Sequence, residues 1–114
     1  MKLLTKDIER KLIANHVANS NGEDTADLKP VVKFFGGGAC TWLITELDPE
    51  TNLMFGLCDL GMGFPELGYV SLDELKSARF PPFGLGIERD MYWTANKTLS
   101  EYATEASNAG RIVA

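Results

Sequence analysis

The stretch that most constrains this chain is residues 39–58, because it has no polar side. It reads Ala39-Cys40-Thr41-Trp42-Leu43-Ile44-Thr45-Glu46-Leu47, then Asp48-Pro49-Glu50-Thr51-Asn52, then Leu53-Met54-Phe55-Gly56-Leu57-Cys58. The middle segment is turn chemistry between two β-prone runs, so the runs fold back on each other as a hairpin. Alternation puts Thr41, Leu43, Thr45 and Leu47 on one side and Cys40, Trp42 and Ile44 on the other. A sheet with one wet face alternates apolar with polar residues, and this one does not. Both faces must therefore be covered, by helices or by another chain.

The flanking sequence supplies the cover. Thr5 is a good N-cap for an amphipathic helix over residues 6–19, with Ile8, Leu12, Ile13 and Val17 at helical spacing and His16 at the edge of the stripe. Ser71 with Glu74, and Thr98 with Glu101, are capping boxes that predict a short helix over 72–78 and a longer one over 98–109, ended by Gly110. Further strands are predicted at 31–35, 68–70 and 87–93. Gly36-Gly37-Gly38 lacks the Lys-Ser/Thr pair of a phosphate loop and leads into a strand, so it reads as a hairpin loop. The short connections imply antiparallel pairing. The expected fold is one α+β domain over 1–114: an antiparallel sheet of four to five strands, two main helices and one short helix. Leu12, Phe34, Trp42, Leu43, Phe55, Leu57, Val70 and Leu99 are the expected core.

A chain of 114 residues buries a core without covalent staples. Cys40 and Cys58 match no Cys-x-x-Cys motif, and His16 cannot complete a zinc site with them on spacing, so no metal or cofactor is expected and both cysteines read as small reduced core residues. No apolar run approaches ~18 residues and the N-terminus turns polar at once, which argues against a membrane span or a signal peptide and for the cytoplasm.

Function has to be sought in charge and in one loop. Net charge is -5, and between residues 34 and 75 there are seven carboxylates (Glu46, Asp48, Glu50, Asp59, Glu66, Asp73, Glu74) and no Lys or Arg. Such a surface repels phosphates, so direct nucleic-acid binding is disfavoured, and a basic protein is the better partner. Residues 57–71 hold three glycines, a proline, apolar Met62, Phe64 and Leu67, and the acids Asp59 and Glu66. The segment brings no nucleophile with a base. Asp59 and Glu66 are the best acid pair for a small hydrolase, if the fold brings them together.

Three blocks carry a resemblance: Thr41-Trp42-Leu43-Ile44-Thr45-Glu46-Leu47-Asp48-Pro49, the run from Phe55 through Cys58-Asp59-Leu60-Gly61-Met62-Gly63-Phe64-Pro65-Glu66 to Leu72, and Ile87-Glu88-Arg89-Asp90. With Leu3-Leu4-Thr5, Pro30-Val31-Val32-Lys33 and Leu99-Ser100-Glu101-Tyr102-Ala103, they resemble the bacterial family known as domain of unknown function 2958 across essentially the whole chain. The resemblance implies a small cytoplasmic protein of plasmids, integrative elements or prophages, with no catalytic residues to carry over. The combined expectation is a non-enzymatic protein-binding accessory protein of a mobile element, countering a host nucleic-acid-targeting defence enzyme through an acidic face and the central loop. Glu46, Asp48 and Glu50, at an exposed turn, and Asp59, Met62, Phe64 and Glu66 are the expected contact residues. The alternatives are a self-associating regulatory or structural protein, its apolar face a homodimer interface, and the Asp59–Glu66 hydrolase.

Overall fold

The computed structural model describes residues 2–114. Five strands, β1 (Val32–Gly36), β2 (Cys40–Leu47), β3 (Leu53–Asp59), β4 (Glu66–Ser71) and β5 (Glu88–Arg89), form one sheet in the order β4-β3-β2-β1-β5, every pairing antiparallel. Three helices, α1 (Lys6–Ser20), α2 (Leu72–Ser77) and α3 (Leu99–Ala109), and a 3-10 turn at Thr25–Asp27 complete the α+β architecture.

The helices begin where the caps place them. The Thr5 hydroxyl accepts from the Ile8 N–H, the Ser71 hydroxyl from the Glu74 N–H, and Thr98 and Glu101 satisfy each other's backbone amides. Each cap removes an orphan donor from the first turn, which fixes the start locally. Helix α3 ends on Gly110 in the left-handed conformation.

The sheet is buried twice, as its hairpin requires. On the first face, Val32, Phe34, Trp42, Ile44 and Met54 pack with Leu12 of α1 and with Leu72 and Leu75 of α2. On the second, Leu43 and Leu57 pack with Leu99, Tyr102 and Ala106 of α3 and with Ile112 beyond it. Phe55 and Val70, expected in the core, are only half-buried. They lie on and beside β4, an edge strand with nothing beyond it to complete their cover. Where β2 crosses β3, a Cβ on Gly56 would sit 2.0 Å from the Leu43 carbonyl oxygen, so that crossing admits no side chain.

Two features depart from the alternation read in the sequence. Between Ile44 and Glu46 the β2–β3 register shifts, leaving Thr45 as an extra residue. This β-bulge switches the side-chain phase, so Leu47 pairs with Met54 and joins the first-face core with Trp42 and Ile44. The strand expected over 87–93 is only two residues long. Asp90 turns its carboxylate onto the Tyr92 N–H, a local side-chain bond that competes with the ladder.

Candidate functional site

The residues singled out in the sequence fall at two opposite ends of β3. At the loop end, β3 hands the chain to residues 60–65. Asp59 is 3% exposed and both of its oxygens are used: Oδ1 accepts the Gly61 N–H at 2.8 Å and Oδ2 the Ile112 N–H at 2.9 Å. Gly61 has φ +79°, a backbone state that side chains resist, and a Cβ there would meet Ala39 at 2.7 Å. The loop is therefore fixed at its base to the segment after α3.

Above that base the chain turns apolar side chains outward. Met62 is 70% exposed and Phe64 80%, followed on β4 by Leu67 at 43% and Tyr69 at 67%. Leu67 and Tyr69 pair with Leu57 and Phe55, and the Tyr69 ring meets Phe55 edge-on at 5.1 Å. These pairings put both on the α3 side of the sheet, beyond the cover that α3 gives to Leu57. The result is an apolar band along one edge, from the loop down β4. Behind the loop lies a cleft of about 530 Å³ between the glycine hairpin, the loop and Gly110. Its thiol, Cys40, has its pKa raised by burial and then by the charge of Asp59, so it is held in its less reactive form. Burial also pushes the Cys58 thiol up to about 11.

At the turn end, Glu46 does not lie where the sequence places it. Expected at an exposed turn, Glu46 is 2% exposed: it still belongs to β2 and lies under α1, where His16 and Asn19 meet it. Its Oε1 lies 3.4 Å from His16 Nδ1 and 3.4 Å from Asn19 Nδ2, and its Oε2 has no hydrogen-bond partner. His16 Nε2 lies 3.8 Å from Asp48 Oδ1, so the imidazole spans two carboxylates. The Glu50 N–H, donating to Asp48 at 2.9 Å, is the main cause holding the Asp48 carboxyl below its ordinary value. Asp48 and Glu50 do face water in part or whole. They are joined by Asp73, which Asn52 contacts at 3.4 Å, and by Glu74 in the first turn of α2.

Nothing in either segment signals the His16–Glu46 contact, 30 residues apart. The one available signal was that Asn15, His16 and Asn19 lie beside the apolar stripe of α1. Asn15 also reaches across, donating to the Thr45 carbonyl at 2.8 Å. The Ser20 hydroxyl, on the next turn of α1, donates to the carbonyl of His16.

Two expected combinations do not form. Glu66 pairs with Cys58, so side-chain alternation sends Asp59, the next residue of β3, to the opposite face. With both Asp59 oxygens capping backbone amides, the two acids do not converge as an acid–base pair. Nor do the acidic turn and the loop share a surface within one chain. They lie at opposite ends of the seven-residue β3, roughly 20 Å apart at the rise of a strand. Among the described residues no three His, Cys, Asp or Glu side chains are grouped to hold a metal ion, and no helix is long and apolar enough to cross a membrane.

The family described as Protein of unknown function (DUF2958) matches residues 3–113, and the chain belongs to it. No curated protein and no solved structure matches the chain.

Proposed function

We propose that this chain works by binding another protein, without chemistry of its own, and that the contact is made by the apolar band at the loop end. One observation carries the reading: Met62, Phe64, Leu67 and Tyr69 all project into solvent from a segment whose base is fixed by Asp59. Large apolar side chains grouped on a surface mark interaction sites, and a rigid base lowers the entropy lost on binding. In the setting that the family resemblance implies, a mobile genetic element in a bacterial cytoplasm, the partner is a host protein such as a nucleic-acid-targeting defence enzyme.

The acidic turn is a second reading with its own support. Asp48, Glu50, Asp73 and Glu74 collect at the other end, and among the described residues none of them is ion-paired with Lys or Arg. A basic channel is the partner that fits such a surface.

Affinity capture from the host separates the two. We expect the double variant Met62→Ser, Phe64→Ser to lose the partner while Asp48→Asn, Glu50→Gln retains it, and capture to persist at 0.5 M salt. Exposed charges are screened within ~10 Å even at 0.1 M, so binding lost at high salt and in the Asp48/Glu50 variant would transfer the function to the turn. Capture unaffected by either variant would sink both readings.

A further inference from the structure

We propose that the outer edge of β4 pairs, antiparallel and about a two-fold axis at Gly68, with β4 of a second copy of this chain. The first ground is the hydrogen-bond pattern. The Leu72 N–H donates to the Asn52 carbonyl at 2.9 Å, just beyond the Leu53–Ser71 pair. Bonded and non-bonded pairs alternate along an antiparallel ladder, so the backbones of Val70, Gly68 and Glu66 turn toward β3. Those of Leu67, Tyr69 and Ser71 turn outward, where the sheet has no further strand.

The second ground is what the edge lacks. Sheet edges are ordinarily blunted by shortness, by Lys or Pro, or by a bulge. The opposite edge follows that rule: β5 is two residues long, both charged. Strand β4 has six residues, no Lys, Arg or Pro, an unbroken register with β3, and two exposed apolar side chains on one face.

A second copy fits this edge in one register. With Gly68 opposite the partner's Gly68, Leu67 lies opposite the partner's Tyr69 and Tyr69 opposite the partner's Leu67, so the outward backbone groups meet and the apolar band runs on across the axis. Glu66 falls opposite the partner's Val70, so no two carboxylates face each other. Ser71, already committed as the N-cap of α2, is left out of the ladder. The axial position is the crowded one, and glycine fills it at no cost. Area supports the match. At the ~200 Å² that an aromatic residue can bury, Tyr69 and Phe64 alone expose on the order of 600 Å² in two copies, half of the ~1,200 Å² at which stable interfaces begin. Leu53, Leu67, Met62 and the strand backbones add to it.

Pairing of this kind has a consequence for recognition. It sets the loop of one protomer beside the far end of the partner's β4, where that protomer's acidic turn lies. Apolar loop and acidic turn, separated within one chain, become neighbours across the interface. In that use the inference rests on the protein-binding reading, and the two can fail separately.

Sedimentation of the full chain over a concentration series tests it. We expect a species of twice 12.5 kDa, converted to monomer by Tyr69→Lys with an unchanged circular dichroism spectrum. In a Cys40→Ala, Cys58→Ala background, Gly68→Cys should crosslink two chains on mild oxidation. The Cα separation of a non-bonded pair, ~4.5 Å, lies within disulfide range, and a Cβ on Gly68 meets no atom of its own chain within 4 Å. A monomer at all concentrations, a dimer indifferent to Tyr69→Lys, or failure of Gly68→Cys to crosslink overturns the proposal. A monomer whose capture of a host protein still depends on Met62 and Phe64 overturns the pairing and leaves the protein-binding reading standing. A Gly68-crosslinked dimer with no such capture does the reverse.

Discussion

Asp59 and Glu46 are equally buried, sit near opposite ends of the same strand pair, and do different things. Asp59 has each oxygen matched to a backbone N–H at 2.8 or 2.9 Å. Glu46 shares one oxygen between two contacts of 3.4 Å and leaves the other unmatched. A buried carboxylate is costly to desolvate, and only well-aligned donors offset that cost. Burial alone therefore does not say whether a carboxylate holds a structure together; the count of matched oxygens does. The loop end is built around a joint, and the turn end tolerates an incompletely bonded carboxylate.

The contrast is broken most directly at Asp59. Asp59→Ala leaves the buried Ile112 N–H without a partner, at ~1–3 kcal/mol, and frees the part-buried Gly61 N–H at a smaller cost, so we expect chemical denaturation to report a loss of about 2–3 kcal/mol. Asp59→Asn, which keeps one acceptor, should lose roughly half as much. At Glu46 the sign reverses. Glu46→Gln keeps the oxygen that faces His16 and Asn19 and removes the buried charge, so stability should rise by up to about 1 kcal/mol. A loss there as large as at Asp59 would make the two carboxylates equivalent and end the comparison.

The smallest effect sharpens the comparison from the side of the loop. Cys58, beside Asp59, has its thiol pushed up to about 11 from an ordinary value of 9.0. The folded state holds that proton more tightly than the unfolded one, so the contribution is intact below pH 9 and is lost as pH rises toward 11. At pH 8 alkylation of Cys58 should be on the order of 100-fold slower in the folded chain than in denaturant, following the thiolate fraction. Asp59→Ala should speed it by loosening the end of β3. Equal rates in the folded and unfolded chain would contradict the burial.

What was legible in the sequence was local. The Thr5, Ser71 and Thr98 caps act within three residues, and the turn at 48–52 lies between the runs it joins, so helices, hairpin and sheet sense could be read directly. Met62 and Phe64 were legible as candidate contacts of a glycine-rich loop, but their exposure was not, since an apolar loop residue can equally plug the end of the core. The bulge was not legible either, since a one-residue slip leaves no mark in a stretch apolar on both sides, and the burial of Glu46 depends on α1 side chains 30 and 27 residues away. The Asp59–Ile112 bond spans 53 positions, and nothing in either segment announces the other. The truncation of β5 turned on one carboxylate, that of Asp90, choosing a nearby amide over a strand.

That long-range bond also sets a clock. A ribosome adding 5–20 residues per second makes Asp59 some 3–10 s before the Ile112 amide that satisfies its second oxygen. Throughout that interval the meander of β1 to β4 can zip together from neighbours already synthesised, while the base of the loop waits, half-bonded, for Ile112. The surface proposed to meet other proteins then takes its final shape only after α3 and Ile112 have been made.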